Sequence, residues 1–530
     1  MKRFNQSLTD ELKGIDKKIA SLINQRSRVM CKVSQIRQHK SESLADVKLE
    51  KELWLVWKEE LKKSNQSLVR QLYTLLNSLG YSLAEKSSSD KPFCLYPPTT
   101  PINLDISAPR CIHQSQYHAY LCALSPEKQE IPNFLINDNI IEIIKLANQC
   151  GAKLSWNENI LTGQGTPRPV MDGQNLFINH SLFNFYLFLC LGLGSANRVK
   201  FNSSSLLKAV SLKQIQDFLP QLGARLYSIE PLSYSLPARL EASGQLPSEI
   251  YLPDNFDPMF VKALVLSAPT YEKSISIKYQ GLGHQSFADI FAIMKDTGIK
   301  MEVEQGQVVI HPSKPCISSS EIPVDPVLSG FLLAMAGLGH GKITLTGIWP
   351  RKSETGKRVV ELLKQCGIHV NIGQKSITAA PGEGTANPFF DFSETPDLVP
   401  LAFPLALGTC RAEQIDFMLS PELENYDIIT RILNHIGYNF SAHSKGIKIS
   451  SNQMTPDKNT PWNSPHAFWT LGYSLLSFRH KGICLANPGN ITSLWPGFWK
   501  IFTNLSEKKS ESNDLKGDIH AKPARKRIRL

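Results

Sequence analysis

The sequence predicts an α/β protein built from six repeated units and preceded by an all-α domain. Three observations carry this. Apolar, helix-like segments recur at a long and nearly constant spacing, beginning near Ala119, Phe183, Phe260, Phe331, Val399 and Ala467. Five amphipathic segments between them stop at a glycine before strand-like sequence, at Gly151, Gly223, Gly298, Gly367 and Gly437, and these glycines keep the same long spacing. Residues 8 to 86 differ from both patterns, with no proline and only two glycines, Gly14 and Gly80.

A period this long, with helix and strand patterns inside each unit, excludes a simple helical solenoid, whose repeats run roughly 20 to 50 residues. Each unit reads as a small α/β module. A glycine after each amphipathic segment suits a helix C-terminus, because it takes the left-handed conformation without a Cβ clash. The apolar segments are greasy on nearly every side and are expected as buried helices.

The N-terminal region begins with LTDELKGIDKKIASLINQRSRVMCKVSQIRQHK, where Leu12, Ile15, Ile19, Leu22, Ile23, Val29 and Val33 follow the three- and four-residue steps of a long amphipathic helix. Two shorter helices are predicted over 47–62 and 67–83. The stretch SSSDKPFCLYPPTTP then reads as a linker. The helical domain is placed at 1–90, the linker at 91–103, and a disordered basic tail at 506–530.

With 530 residues and 42% hydrophobic side chains, the chain is long enough for roughly three domains with real cores. A net charge of +11 favours anionic partners, but part of the excess sits at the two ends. No aromatic residues interleave with the basic residues of KPARKRIRL, so a nucleic-acid partner is not expected. The ten cysteines form no CxxC pair, and Cys122, Cys150 and Cys190 fall in apolar stretches, so they read as buried thiols of a reducing compartment. The longest greasy run, residues 182–193, is too short to span a bilayer. A cytoplasmic protein without a membrane partner is expected.

The helical domain resembles, over most of its length, the three-helix chorismate mutase domain, through Asp16 in GIDKKI, Arg26 in NQRSRV, Arg37, Asp46 and Glu50. The resemblance implies that Arg26 and Arg37 bind a dicarboxylate substrate while Glu50, with Asp46 nearby, belongs to the same site. Such a site works by conformational restraint and electrostatics, without covalent chemistry. Thr9 stands where that family places an arginine donated to the partner subunit's site, and Ala84 near a glutamine. The apolar face of the first helix also suits a homodimer.

Residues from about 100 to 505 resemble the enolpyruvyl transferases, above all those that act on shikimate 3-phosphate. The carriers are DFSETPDLVPLAFPLALG, similar to a D-x-x-P-D-[LA]-x-P segment, together with VDPVLSGFLLAMAGLGHGKITLTGI and FVKALVLSAP. The resemblance implies a two-domain inside-out α/β barrel of six βαβαββ-like repeats. Domain I would comprise 104–112 and 324–505, and domain II 113–323. It also implies addition of a hydroxyl of shikimate 3-phosphate to C2 of phosphoenolpyruvate, then loss of phosphate, with neither metal nor organic cofactor. Asp397 takes the catalytic acid's position and Glu422, in LSPELENYD, that of a second acid.

Most of the cations that such chemistry uses are replaced. Arg110 and Cys111 stand for a lysine and a serine in the first loop, Tyr186 for an arginine, and Asp257, Pro258 and Met259 for S-S-Q. Lys208 is retained in NSSSLLKAV. Pro421 and Asn425 flank Glu422, and His466 and Ser493 take the last two cationic positions. Arg110, Cys111, Lys208 and His466 are therefore the candidate substrate-binding residues, and Arg351, Lys352 and Lys357 are candidate replacements.

Two functions follow from this pattern. One is a divergent enolpyruvyl transferase joined to a chorismate mutase-like domain. The other is a catalytically silent homologue with a scaffolding or regulatory role. Transfer to a UDP-amino sugar is disfavoured, because the loop cysteine characteristic of that branch is not found.

Overall fold

The computed structural model describes residues 2–507 apart from 40–46, 87–92, 99–100, 158, 180, 232, 280–286, 318–321, 384–388, 394, 411–413 and 454–459. Helices α1 (Lys2–His39), α2 (Val47–Glu60) and α3 (Gln66–Lys86) form the expected N-terminal bundle. Its interior is a narrow seam in which Ser27, Met30 and Ser34 of α1 are buried, as are Val69, Tyr73 and Leu76 of α3. Gly80 is part of this seam, where a Cβ would lie 2.7 Å from Met30 Cβ. The proposed tail lies outside the described residues beyond Glu507, the end of a last helix, Phe498–Glu507.

All six apolar segments are helices: Ile112–Leu124, Leu182–Gly192, Pro258–Ser267, Pro326–Leu338, Val399–Thr409 and Ala467–Leu476. Most of their residues are almost fully buried, as side chains that are apolar all round require. The five glycines that end the amphipathic segments all have positive φ. At Gly437 (φ 76°), which caps the helix Glu424–Ile436, any side chain would cost about 1 kcal/mol.

Four sheets share one plan: a parallel outer pair, then two antiparallel strands. In one of them Asn175–Ile178 pairs in parallel with Ala196–Ser203, followed by Ala238–Ser243 and the edge strand Ala224–Ser228. The chain crosses from the first strand to the second through a buried helix and continues through the amphipathic segment. This is the connection that parallel strands need.

In one such sheet the first strand, Asn103–Ser107, pairs with Lys342–Thr346, so the chain leaves this module and resumes it only after three further buried helices. The molecule accordingly divides into two compact units: residues 1–91 with 110–323, and residues 92–109 with 324–530. The change of unit falls between Pro109 and Arg110 rather than after residue 112, the bundle groups with the first unit, and the linker's end belongs to the second.

Not all the cysteines are buried thiols. Cys94 and Cys484 are joined by a disulfide, because Phe93–Cys94 pairs with Cys484–Leu485 and sets the two residues directly opposite each other. Cys122, Cys150, Cys190 and Cys366 are buried thiols, whereas Cys316 is exposed.

Candidate active site

Three of the six buried helices close their own N-termini with a side chain. Ser181 accepts from Asn184 N, Asp257 from Met259 N, and Asp325 from Val327 N and Leu328 N. The other three, which follow Cys111, Leu398 and His466, have no side-chain cap. The starts after Cys111 and His466 have no side-chain acceptor for their first N–H groups, an arrangement that favours an anion, whereas Val399 N donates to Pro396 O in the preceding turn and residue 400 is a proline. The candidate residues Cys111, Asp397 and His466 stand at these three starts.

In the second unit, Asp397 lies exposed in a short 3-10 turn, Pro396–Leu398, that leads into Val399–Thr409. His466 precedes Ala467–Leu476. These two helices touch closely, since a Cβ on Gly472 would sit 2.3 Å from the Pro400 carbonyl oxygen. Only glycine permits that approach. Asn425 ties the same corner together: its Nδ2 donates to Pro396 O (2.8 Å), and its Oδ1 accepts from Trp469 Nε1 (3.0 Å).

Burial lowers the His466 imidazole below the usual histidine range, against the opposing charges of Glu424 and Asp397. The fold thus brings His466 into the field of Asp397 and of Glu424, which the sequence did not single out. Glu422 is exposed two residues earlier, and its backbone N–H donates to Ser420 Oγ (3.4 Å). Arg351 spends Nη2 on the carbonyls of Ile372 (2.8 Å) and Gly373 (2.9 Å), and Lys357 lies 3.4 Å from Glu354.

In the first unit, Arg110 is buried and donates from Nη1 to Ile322 O (3.3 Å), so its guanidinium is directed at the chain's own backbone. Cys111 is half-buried, and Lys208 ends the short helix Ser205–Lys208. The loop before Leu182–Gly192 is held by a buried acid: Glu142 accepts from Asn179 N and from Asn184 Nδ2 (2.6 Å), and Asn184 Oδ1 accepts from Gln116 Nε2 (2.7 Å). Tyr186 on that helix donates to Asp257 Oδ2 (3.0 Å).

In the bundle, Arg26 donates to Asn77 Oδ1 and its guanidinium lies 5.7 Å from the Tyr73 ring centre. Tyr73 Oη donates to the Glu50 carbonyl (2.6 Å). Burial raises the Tyr73 phenol; a hydrogen bond with Asn77 and the charges of Arg26 and Arg70 oppose this, while Glu50 adds to it. Arg26 and Glu50 are therefore neighbours, joined by Tyr73, Asn77 and Arg70, which the sequence reading missed. Arg37 lies two residues before the end of α1, and Asp46 lies outside the described residues.

Buried helices and small four-stranded sheets, with the chain interrupted and resumed in one module, define an enolpyruvyl transferase-like fold. The chain belongs to the EPSP synthase (3-phosphoshikimate 1-carboxyvinyltransferase) family, whose model matches residues 101–498. A 3-phosphoshikimate 1-carboxyvinyltransferase of Actinobacillus pleuropneumoniae serotype 5b is 22% identical over 428 residues, covering 78% of this chain and 98% of that protein. One from Nitrosopumilus maritimus is 21% identical, covering 72% and 90%. Among solved structures, EPSP synthase from Acinetobacter baumannii superposes with a TM-score of 0.62 at 16% identity, covering 79% of this chain and 98% of that one. The enolpyruvyl transferase NikO from Streptomyces tendae gives 0.57 at 14% identity, covering 78% and 97%.

Proposed function

We propose that the chain transfers the enolpyruvyl group of phosphoenolpyruvate to the hydroxyl of an anionic acceptor, shikimate 3-phosphate being the first candidate. The carrying observation is Asp397, an exposed carboxylate in the turn that leads into one buried helix and close enough to act on His466, which precedes the uncapped start of another. In this reading Asp397 takes the proton as the acceptor oxygen bonds to C2, and the helix start after His466 binds an anionic group. Glu422 is the second acid, supplying a proton to C3 on addition; a C3 proton is taken back as phosphate leaves, which restores the C2–C3 double bond. Lys208 and Cys111 are the remaining candidates for anion binding within the first unit.

A second reading, a catalytically silent scaffold, is supported by the fate of the cations. Arg110 is buried against a carbonyl, burial shifts His466 towards its neutral form, and Tyr186 and Asp257 bind each other. The bundle's cluster supports a carboxylate-binding site, and by the chorismate mutase resemblance the ligand is chorismate, with Arg37 and Asp46 completing the site.

The test is phosphate release from shikimate 3-phosphate plus phosphoenolpyruvate, with the product identified by mass spectrometry. Enolpyruvyl product, lost about 100-fold in Asp397→Asn and in Glu422→Gln, supports transfer, that being the ordinary contribution of an acid or base. No release from folded wild-type protein favours the scaffold.

A further inference from the structure

Arg70 of α3 reaches out of the bundle. Its Nε and Nη2 both donate to Glu230 Oε2, at 3.1 and 2.7 Å, across 160 residues of sequence. Its guanidinium stacks over Trp54 of α2 (4.5 Å) and lies 5.8 Å from the Tyr73 ring centre. Glu230 follows the strand Ala224–Ser228, and α3 also packs against Ser205–Lys208, the short helix that ends in Lys208. The pair is half-buried, at 22% and 33% exposure, so water screens it less than a surface pair.

Two guanidiniums thus share one aromatic ring, that of Tyr73, with unlike partners. Arg26 donates to the Asn77 amide, and Arg70 pairs with an acid from the repeat region. A fork of N–H donors on a carboxylate is the same bond that a carboxylate ligand would form. A ligand with two carboxylates that engages both guanidiniums competes with Glu230 for the Nε–Nη2 edge of Arg70.

We infer that Arg70–Glu230 is a latch operated by a dicarboxylate ligand of the helical domain. Empty, the bundle is held to the repeat region by this ion pair. When the ligand's carboxylate takes Arg70, Glu230 is released and α3 loosens from the segment ending in Lys208. The inference rests on the reading of the bundle as a carboxylate-binding site. It couples that site to the repeat region by competition for one side chain, with reciprocal effects on both partners.

Hydrogen exchange on the full chain, with chorismate as probe, tests it. Arg70→Met should accelerate exchange in 204–210 and 228–231, and chorismate should reproduce that acceleration in wild type while protecting α1–α3. Glu230→Gln, which removes the competing charge, should bind chorismate about fivefold more tightly by calorimetry, the equivalent of a modest ion pair. Binding by Glu230→Gln alone also supports the latch. Protection of the bundle without acceleration elsewhere overturns the latch and leaves the binding site standing. No binding by either protein overturns both.

Discussion

The Tyr186 hydroxyl donates to Asp257 Oδ2 across 3.0 Å, while Asp257 Oδ1 accepts from Met259 N at 2.9 Å. Both carboxylate oxygens are thereby occupied, and a protein carboxylate holds the helix start that an anion would otherwise use. Asp257→Ser keeps a capping oxygen and removes the charge. It is expected to raise affinity for shikimate 3-phosphate roughly fivefold in titration calorimetry, while Asp257→Ala costs about 1 kcal/mol in thermal unfolding through the lost cap. Unchanged affinity in the serine variant would place this carboxylate beyond the anion's reach.

His466 gives two pH dependences of opposite sense. Its folded pKa is lowered by burial, so between that value and the ordinary 6.5 the unfolded chain binds more protons than the folded one. Its contribution to stability is therefore complete above pH 6.5 and is lost as pH falls through this window. Phosphoenolpyruvate affinity should move the other way, rising as the imidazole becomes a cation. His466→Gln should flatten both profiles, in calorimetric unfolding and in ligand titration. Equal pH dependence of affinity in the variant would assign the anion to other groups.

The fold was legible because its signals are local and repeated. An apolar segment such as 326–338 can only be a buried helix, and a glycine such as Gly437 states where its helix ends. The site was legible only in part. Asp397 stands in a recognisable motif, but Asn425, Trp469 and Glu424 matter through contacts between separate modules, which no spacing encodes. Arg110 shows the converse: the sequence offers a cation, and burial against Ile322 O turns it inward. Arg70 and Glu230 lie 160 residues apart, so their ion pair had no sequence signature. The disulfide was missed for the same reason, its partners being 390 residues apart.

Cys94–Cys484 ties the strand before the repeat region to its last module, where Leu95 N also donates to Ile483 O and Gly482 N to Leu95 O. Of the ten cysteines, eight should react with a thiol reagent in denatured, unreduced protein, and all ten after reduction. Cys94→Ser should lower unfolding stability by about 2 to 4 kcal/mol, the common range for closing a long loop. Ten reactive thiols without reductant would show that the pair is not bonded in solution.

The first helix leaves an apolar stripe in water: Leu12 (61% exposed), Ile15, Ile19, Leu22 (63%), Val29 and Ile36 are all exposed, although the steps between them are those of a packed seam. The buried face that α1 presents to α3 is a different one, through Ser27, Met30 and Ser34. Exposed Leu68, Leu72, Leu75 and Leu79 repeat the pattern on α3. Stripes this long on a soluble helix normally mark an interface, and the same surface in a second copy is the partner that a self-complementary pair of stripes fits. We propose a homodimer through α1. Sedimentation should show a dimer for wild type and a monomer for the double variant Ile19→Lys, Leu22→Lys. Since both side chains are exposed, the substitutions should leave the helicity of the monomer close to that of wild type by circular dichroism. A wild-type monomer at all concentrations, or a double variant that still sediments as a dimer, would rule out this seam.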